Sequence, residues 1–307
     1  MRTGEQKIPW GVLCEDEHVK FEWIKTHVNN FKVRTMCKIL EVSHSGYYSW
    51  IKRPESRREG KNRALVVEIK AVYKKSRETY GSPRIYDALV KKNLNCSENR
   101  VARLMSKNHI KSVHSKKFKP QTTDSNHGLS VPKNLLEQNF TATAPNQKWV
   151  GDMTYIPTSE GWLYLATVID LFSRKVIGWS VSRSPNAELV CSAFRQAAFR
   201  RGSPRDFIYH SDRGSQYASL SFRELLNDFN VTLSMSRRGN CYDNAEIESF
   251  FHTLKVELVH RYKFGFRSEA RSAIADYIEN FYNTFRTHSS IGYCSPCAFE
   301  DKFKVAA

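Results

Sequence analysis

Asp152 stands in the stretch WVGDMTYI, among Trp149, Val150, Met153, Tyr155 and Ile156. A lone carboxylate is expensive to bury in apolar, aromatic surroundings, so it needs a partner or a metal ion. Asp212 follows the apolar run FIYH and precedes Arg213 and Gly214, where a strand's C-terminal end is expected. A third group of acids, Asp243, Glu246 and Glu248, surrounds the start of the helical pattern AEIESFFHTLKVELVH. On a helical wheel Ile247, Phe251, Leu254 and Leu258 form the core stripe, and Glu246 and Glu248 both flank it at about 100° per residue. Their neighbours differ. His252 and Lys255 lie on the Glu248 side, and Phe250, Thr253 and Glu257 on the Glu246 side. A metal-binding acid that handles a phosphate substrate benefits from cationic company, which favours Glu248.

Three hard carboxylate donors, without matching Cys or His ligands, suit Mg²⁺ or Mn²⁺ rather than zinc. Two such ions, roughly 3.5–4 Å apart, activate an attacking oxygen and stabilise a leaving one in an in-line displacement at phosphorus. That chemistry is phosphodiester cleavage or transfer. Taken singly, the same residues are a strand-end acid, a turn Asp and a first-turn Glu that complements the helix dipole. Both readings stand on the acids alone.

The elements around them have a β/α texture from Gln147 onward. QKWVGDMTYIPT reads as a strand ending in a Pro turn, with GWLYLATVIDLFS and RKVIGWSVS completing an antiparallel meander. NAELVCSAFRQAAFRRG is an amphipathic helix between Asn186 as cap and Gly202. DFIYHSD and VTLSMS read as strands around the short helix SLSFRELLNDFN, and the loop RRGNCYDN leads into the acidic helix. A mixed sheet with helices on its faces fits that order, and such folds place their sites at strand ends. A further helical pattern runs from Ser268 to Phe285.

The front of the chain differs in charge. Residues 1–120 hold 27 Lys and Arg against 12 Asp and Glu, whereas residues 121–307 hold 21 against 19. A basic block beside a near-neutral half suggests a polyanion-binding front end. TMCKILEVSHSGYYSWIKR predicts two helices with Ser43 or Ser45 as the second cap. In YGSPRIYDALVKKNLNCSENRVARLMSKN, Pro83 opens one helix, Asn95 marks a break and Ser97 caps the next. Both read as helix-turn-helix arrangements. Val101, Leu104 and Met105 share one face, leaving Arg100, Arg103 and Lys107 available for DNA, and KSVHSKKFKP is a basic tail suited to phosphates. The polar stretch 121–146 reads as an extended linker. No apolar run is long enough to cross a bilayer, and the N-terminus has no signal-type core, so a cytoplasmic, membrane-free chain is expected. The seven scattered cysteines read as reduced thiols.

WVGDMTYI, HSDRGSQYAS and CYDNAEIESFFHTLKVE resemble the three catalytic blocks of DDE transposases. The likeness is greatest to the second-frame (OrfB) product of bacterial insertion sequences with two overlapping frames. Thirty-five residues separate Asp212 from Glu248, the family's DD(35)E spacing, and Lys255 stands at its basic position seven beyond the Glu. PNQKW, GYYSW, YGSPRI and YNTFRTHSSIGYCSP extend the resemblance over most of the chain from Met36 onward.

The resemblance implies a ribonuclease-H-like, retroviral-integrase-type catalytic core with a five-stranded mixed sheet, preceded by an all-helical helix-turn-helix-type region. It implies 3′-end cleavage and strand transfer supported by two Mg²⁺ ions, with Mn²⁺ a possible substitute. Asp152, Asp212 and Glu248 would be the ligands. Lys255, His252 and Asn244 would contact DNA, joined as candidates by Arg213 and Arg238, while Asp243 and Glu246 would be loop and helix-end acids. The implied partners are element ends and target DNA, other copies of the chain and the first-frame product, on the bacterial nucleoid. The expected divisions are residues 1–60 (helical), 61–120 (basic, helix-turn-helix-like), 121–146 (linker), 147–265 (catalytic core) and 266–307 (helical extension). No heptad for multimerisation is found. A DNA-binding regulator and a purely hydrolytic nuclease are the competing readings. One Cys294-x-x-Cys297 pair is a weak zinc signal.

Overall fold

A computed structural model describes residues 15–54, 56–113, 131–237 and 241–306. Arg238, the end of the basic tail and the first part of the linker lie outside the described residues. The chain divides into two compact units, Met1–Leu65 and Val66–Ala307.

The first unit holds α1 (Glu17–His27), α2 (Val33–Ile39) and α3 (His44–Lys52). Phe21, Ile24, Met36, Cys37, Leu40 and Tyr47 form its core. Of the two serines expected to cap α3, Ser43 does so, accepting from Gly46 N at 3.2 Å. The boundary between the units falls within α4 (Arg57–Lys75).

After the rest of α4, the second unit continues with α5 (Ser82–Lys91) and α6 (Glu98–Lys107). Pro83 lies in the first turn of α5, where its missing N–H costs nothing. Ser97 caps α6, and Val101, Leu104 and Met105 are its buried face, as the periodicity predicts.

The sheet comprises β1 (Lys148–Thr158), β2 (Gly161–Asp170), β3 (Lys175–Ser182), β4 (Ile208–Ser211) and β5 (Thr232–Met235), in the order β3-β2-β1-β4-β5. β1, β2 and β3 form the antiparallel meander, and β4 and β5 add in parallel on the other side of β1. This is the mixed ribonuclease-H-like sheet that the resemblance implies. Alternate residues of β1 serve opposite faces. Trp149 packs with Leu189, Phe194 and Ala197 of α7 (Ala187–Arg200) and with Phe222 of α9 (Leu220–Asp228), which follows the single-turn α8 (Ser215–Ala218). Val150 and Ile156 pack with Ile247, Phe251 and Leu254 of α10 (Ala245–Glu257). α11 (Arg267–Ala275) and α12 (Pro296–Ala306) complete the unit.

Several local expectations change. β1 does not end in a Pro turn. It continues through Pro157, which faces Trp162 on β2, because β4 pairs β1 only as far as Gly151 and the other edge beyond needs no donor there. α10 stops at Glu257, and the chain tightens into a 3₁₀ turn, Val259–Arg261. The final helical pattern is interrupted: α11 runs into a π-helical stretch, Asp276–Tyr282, whose wider turn brings Tyr277, Ile278, Phe281 and Tyr282 all to the interior. Residues 131–146 carry no helix or strand but are packed, with Leu136 2% exposed in the α10 core and Leu135 N donating to Ser234 Oγ.

Gly178 of β3 marks the closest approach of sheet and helix. A Cβ there would collide with the Ala193 carbonyl and lie 2.7 Å from Ala197 of α7. Gly178→Ala is therefore expected to destabilise the unit by about 1–3 kcal/mol, lowering the thermal midpoint by about 2–4 °C per kcal/mol. An unchanged melting curve would contradict this packing.

Candidate active site

The parallel register of β1 and β4 builds the centre of the site. Gly151 pairs with Ser211, so the next residue on each chain segment, Asp152 and Asp212, emerges beside the other. Gly151 permits this approach: a Cβ there would run into the Tyr209 hydroxyl. Asp152 shares the alternation of Val150 and Ile156, the residues that pack toward α10. Glu248 is in the first turn of that helix, whose Ile247, Phe251 and Leu254 hold it on the sheet.

The electrostatics show the three carboxylates in reach of one another. Burial, then the Asp212 charge, then Glu248 push the Asp152 carboxyl well above the usual range, with Lys255 opposing. Burial and Asp212 likewise raise Glu248. Lys255 is lowered by burial and held up by Asp152, and its Nζ lies 4.9 Å from the Tyr155 ring centre. Backbone donors fix two of the acids: Met153 N donates to Asp152 Oδ1 at 2.7 Å, and Gly214 N to Asp212 Oδ1 at 2.9 Å.

Among the described residues, no three His, Cys, Asp or Glu side chains form a ready metal-ligand set. The three acids converge without closing. Their chemistry nonetheless fits a hard divalent cation: all donors are carboxylate oxygens, and a positive ion would offset the mutual repulsion that raises Asp152 and Glu248.

The neighbouring acids Glu246 and Asp243 are engaged by arginines. Glu246 forms an ion pair with Arg174. Asp243 is fully buried, accepts from Arg237 N, Nε and Nη2 at 2.8–3.0 Å, and is held far below the usual carboxylate range chiefly by that arginine. The remaining candidates are scattered. His252 is exposed on α10, and Arg213 Nε donates to Ser236 O at 2.7 Å. Asn244 is 5% exposed, and its Oδ1 has no hydrogen-bond partner among the described residues. Arg103 and Lys107 are exposed on α6, and Arg100 is half-buried.

One supporting residue was not legible. His210 on β4 is completely buried between Ser234 Oγ at 2.8 Å and Ser236 Oγ at 3.2 Å. Burial lowers its pKa to about 4, keeping it neutral where it ties β4 to β5 beneath Asp212. HSD in the sequence carries no periodic sign of those serines.

A carboxyl raised on folding binds its proton more tightly in the folded state, so stability falls as pH rises from the ordinary value of 3.8 through the folded one. Asp152→Asn is therefore expected to raise the melting temperature at pH 7 in metal-free buffer and flatten its pH dependence. Added Mg²⁺ should stabilise the parent more than the variant. A variant less stable than the parent at pH 7 would contradict the repulsion.

Comparison with known proteins gives a consistent picture. Models described as integrase core domain match residues 142–241 and 248–303, and one described as an HTH-like domain matches residues 60–118. The transposase InsF for insertion sequence IS3A of Escherichia coli (strain K12) is 43% identical over 286 residues, 92% of this chain and 99% of that protein. The uncharacterized 31 kDa protein of insertion element IS600 from Shigella sonnei is 42% identical over 272 residues, 89% of this chain and 100% of that one. A chain of the simian T-cell lymphotropic virus intasome, in complex with PP2A regulatory subunit B56 gamma, aligns at a TM-score of 0.45 and 16% identity, over 70% of this chain and 69% of that one. Identity above 40% across nine-tenths of the sequence is decisive: the chain belongs to the IS3 family of insertion-sequence transposases.

Proposed function

We propose that the chain is a DNA transposase, a polynucleotidyl transferase that cleaves the 3′ ends of an insertion sequence and joins them to a second DNA site. The observation that carries this reading is the β1–β4 register, which sets Asp152 beside Asp212 and within electrostatic reach of Glu248. In the first step water attacks the end phosphodiester, the P–O3′ bond breaks, and the departing oxygen takes a proton to become a 3′ hydroxyl. In the second, that hydroxyl attacks another phosphodiester, losing its proton as a new P–O bond forms and a second alcohol leaves. No covalent link to the protein is needed.

Asp152, Asp212 and Glu248 would hold two Mg²⁺ ions, or Mn²⁺ in their place. Bound there, the ions would supply the positive charge that makes the attacking oxygen more acidic and offsets charge on the leaving one. The chain's own residues do the rest. The backbone donors at Met153 and Gly214 aim the two aspartates. Lys255, on the same side of α10 as Glu248, offers a cation to the phosphate near the cut. His252, Asn244 and Arg213 would add nearby DNA contacts, as would Arg238, and Arg100, Arg103 and Lys107 on α6 would track the duplex. The substrates would be element ends and target DNA on the bacterial nucleoid, bound by several copies of the chain. The first-frame product of the element is the further partner this reading assigns.

Labelled element ends incubated with the full chain and Mg²⁺ test the proposal: joined products are expected, and purely hydrolytic products would replace it with a nuclease. Asp212→Asn should abolish both cleavage and joining while leaving duplex binding intact and the melting temperature in metal-free buffer no lower than the parent's; joining by that variant would remove Asp212 from the metal site. Lys255→Ala should slow joining by about 10²-fold through misplacement of substrate, with an unchanged Mg²⁺ titration. A weakened titration would make Lys255 a support of the acids rather than a DNA contact.

A further inference from the structure

A second charged site lies around α10 from Glu248, on the side that carries Glu246 and Thr253. Arg84 near the start of α5, Arg174 in the β2–β3 turn and Arg286 beyond the π-helical stretch meet there with Thr253, His288 and Ser290, around a cavity of about 140 Å³. A wider cleft of about 460 Å³ shares Arg84, Thr253 and Arg286 and continues past Gly81, Pro83 and Ser112. A water takes about 30 Å³ in the liquid, so the inner cavity admits a group of a few heavy atoms. The outer cleft leaves room for the chain that such a group would belong to.

The cavity is built, not incidental. Arg286 is 5% exposed and is fixed by Glu257, which accepts from its Nε at 3.0 Å and its Nη2 at 2.9 Å. Glu257 in turn accepts from the Tyr277 hydroxyl at 2.8 Å. Arg174 pairs with Glu246 and donates to Ser290 Oγ at 2.7 Å. Arg84 is the guanidinium in excess. It packs 5.6 Å from the Tyr80 ring centre and, among the described residues, forms no ion pair of its own. Tyr80 is itself anchored, donating to Phe285 O at 3.1 Å and accepting from Thr287 N at 2.8 Å.

Three guanidiniums thus face two carboxylates in a partly buried pocket, an imbalance that is costly unless an anion completes it. The consequences are visible in the groups themselves. Burial and Arg286 lower Arg84, and burial lowers Arg174, with Arg286 adding to the shift. Burial and the three arginines keep His288 neutral, with its pKa lowered to about 2. Hydroxyls and planar guanidinium forks around one small cavity match the tetrahedral oxygens of a phosphate.

We propose that this pocket seats a phosphate group of the DNA backbone, held by Arg84, Arg174 and Arg286 with Thr253 and Ser290 as hydroxyl partners. The assignment to DNA rests on the transposase reading. Thr253 of the pocket and Glu248 lie on the same helix, α10, so a strand whose phosphate sits here would run beside the helix that carries Glu248. It joins residues of the helix-turn-helix-like segment, the acidic helix and the C-terminal segment in one contact, coupling end binding to placement of the cut.

The test measures binding of a labelled duplex by the full chain over a series of salt concentrations, with the His288 ring signal followed by NMR. For Arg84→Gln, loss of one phosphate contact should reduce the slope of log affinity against log salt by about 0.9. Arg84→Lys should restore the slope, and Thr253→Glu, which places a carboxylate in the cavity, should reduce it even if Arg84→Gln folds poorly. Duplex should shift the His288 signal in the parent. Equal slopes for the parent, Arg84→Gln and Thr253→Glu would overturn the proposal. So would inorganic phosphate that shifts His288 and is not displaced by saturating duplex, which would mark a free-phosphate site. A parent that shows the slope difference yet joins no ends would keep the pocket and remove the transferase reading, so the two failures are separable.

Discussion

The site depends on keeping like charges together at the junction of β1 and β4. Two aspartates emerge side by side because Gly151 and Ser211 are paired, and α10 brings Glu248 into their field. Such an arrangement opposes folding, so the rest of the unit must over-determine it. The sheet is packed on both faces, by α7 and α9 around Trp149 and by α10 and α11 around Val150. Gly151 accommodates the Tyr209 hydroxyl, and His210 is clamped between two serines one position from the strand end.

The contrast with the buried acids of the same unit is informative. Asp170 and Glu300 share Arg201, with Lys175 also donating to Glu300 at 3.0 Å. Asp243 is gripped by Arg237, and Glu257 by Arg286. Each is a structural carboxylate with its guanidinium supplied. Asp152 and Glu248 are raised first by burial and then by neighbouring acids, with only a lysine, Lys255, opposing at Asp152. Carboxylates raised by burial and by one another, in the middle of a sheet and beside a helix start, suit a cation-dependent site.

Much of this was legible in the sequence because it follows from periodicity and caps. The meander, the Asn186 and Ser97 caps, the buried stripe of α10 and the place of Asp212 at a strand end are all local signals. The preference for Glu248 over Glu246 rests on flanking cations in the sequence, and a long-range pair that sequence does not show, Glu246 with Arg174, supports it. Other features also depended on distant partners. Burial of Leu136, neutral His210, and the π-helical turn that faces four large side chains inward each need contacts that no window of sequence contains. The arginine pocket is the clearest case, since Arg84, Arg174 and Arg286 are about a hundred residues apart and carry no shared motif.

The proposed chemistry requires Asp152, Asp212 and Glu248 to bind divalent cations in common. A crystal of the chain soaked in Mn²⁺ and measured at the manganese edge tests it most directly. The expected result is anomalous density bounded by these three carboxylates, with their oxygens about 2.0–2.3 Å from it. Density at other acids, with none between Asp152 and Asp212, would contradict the account.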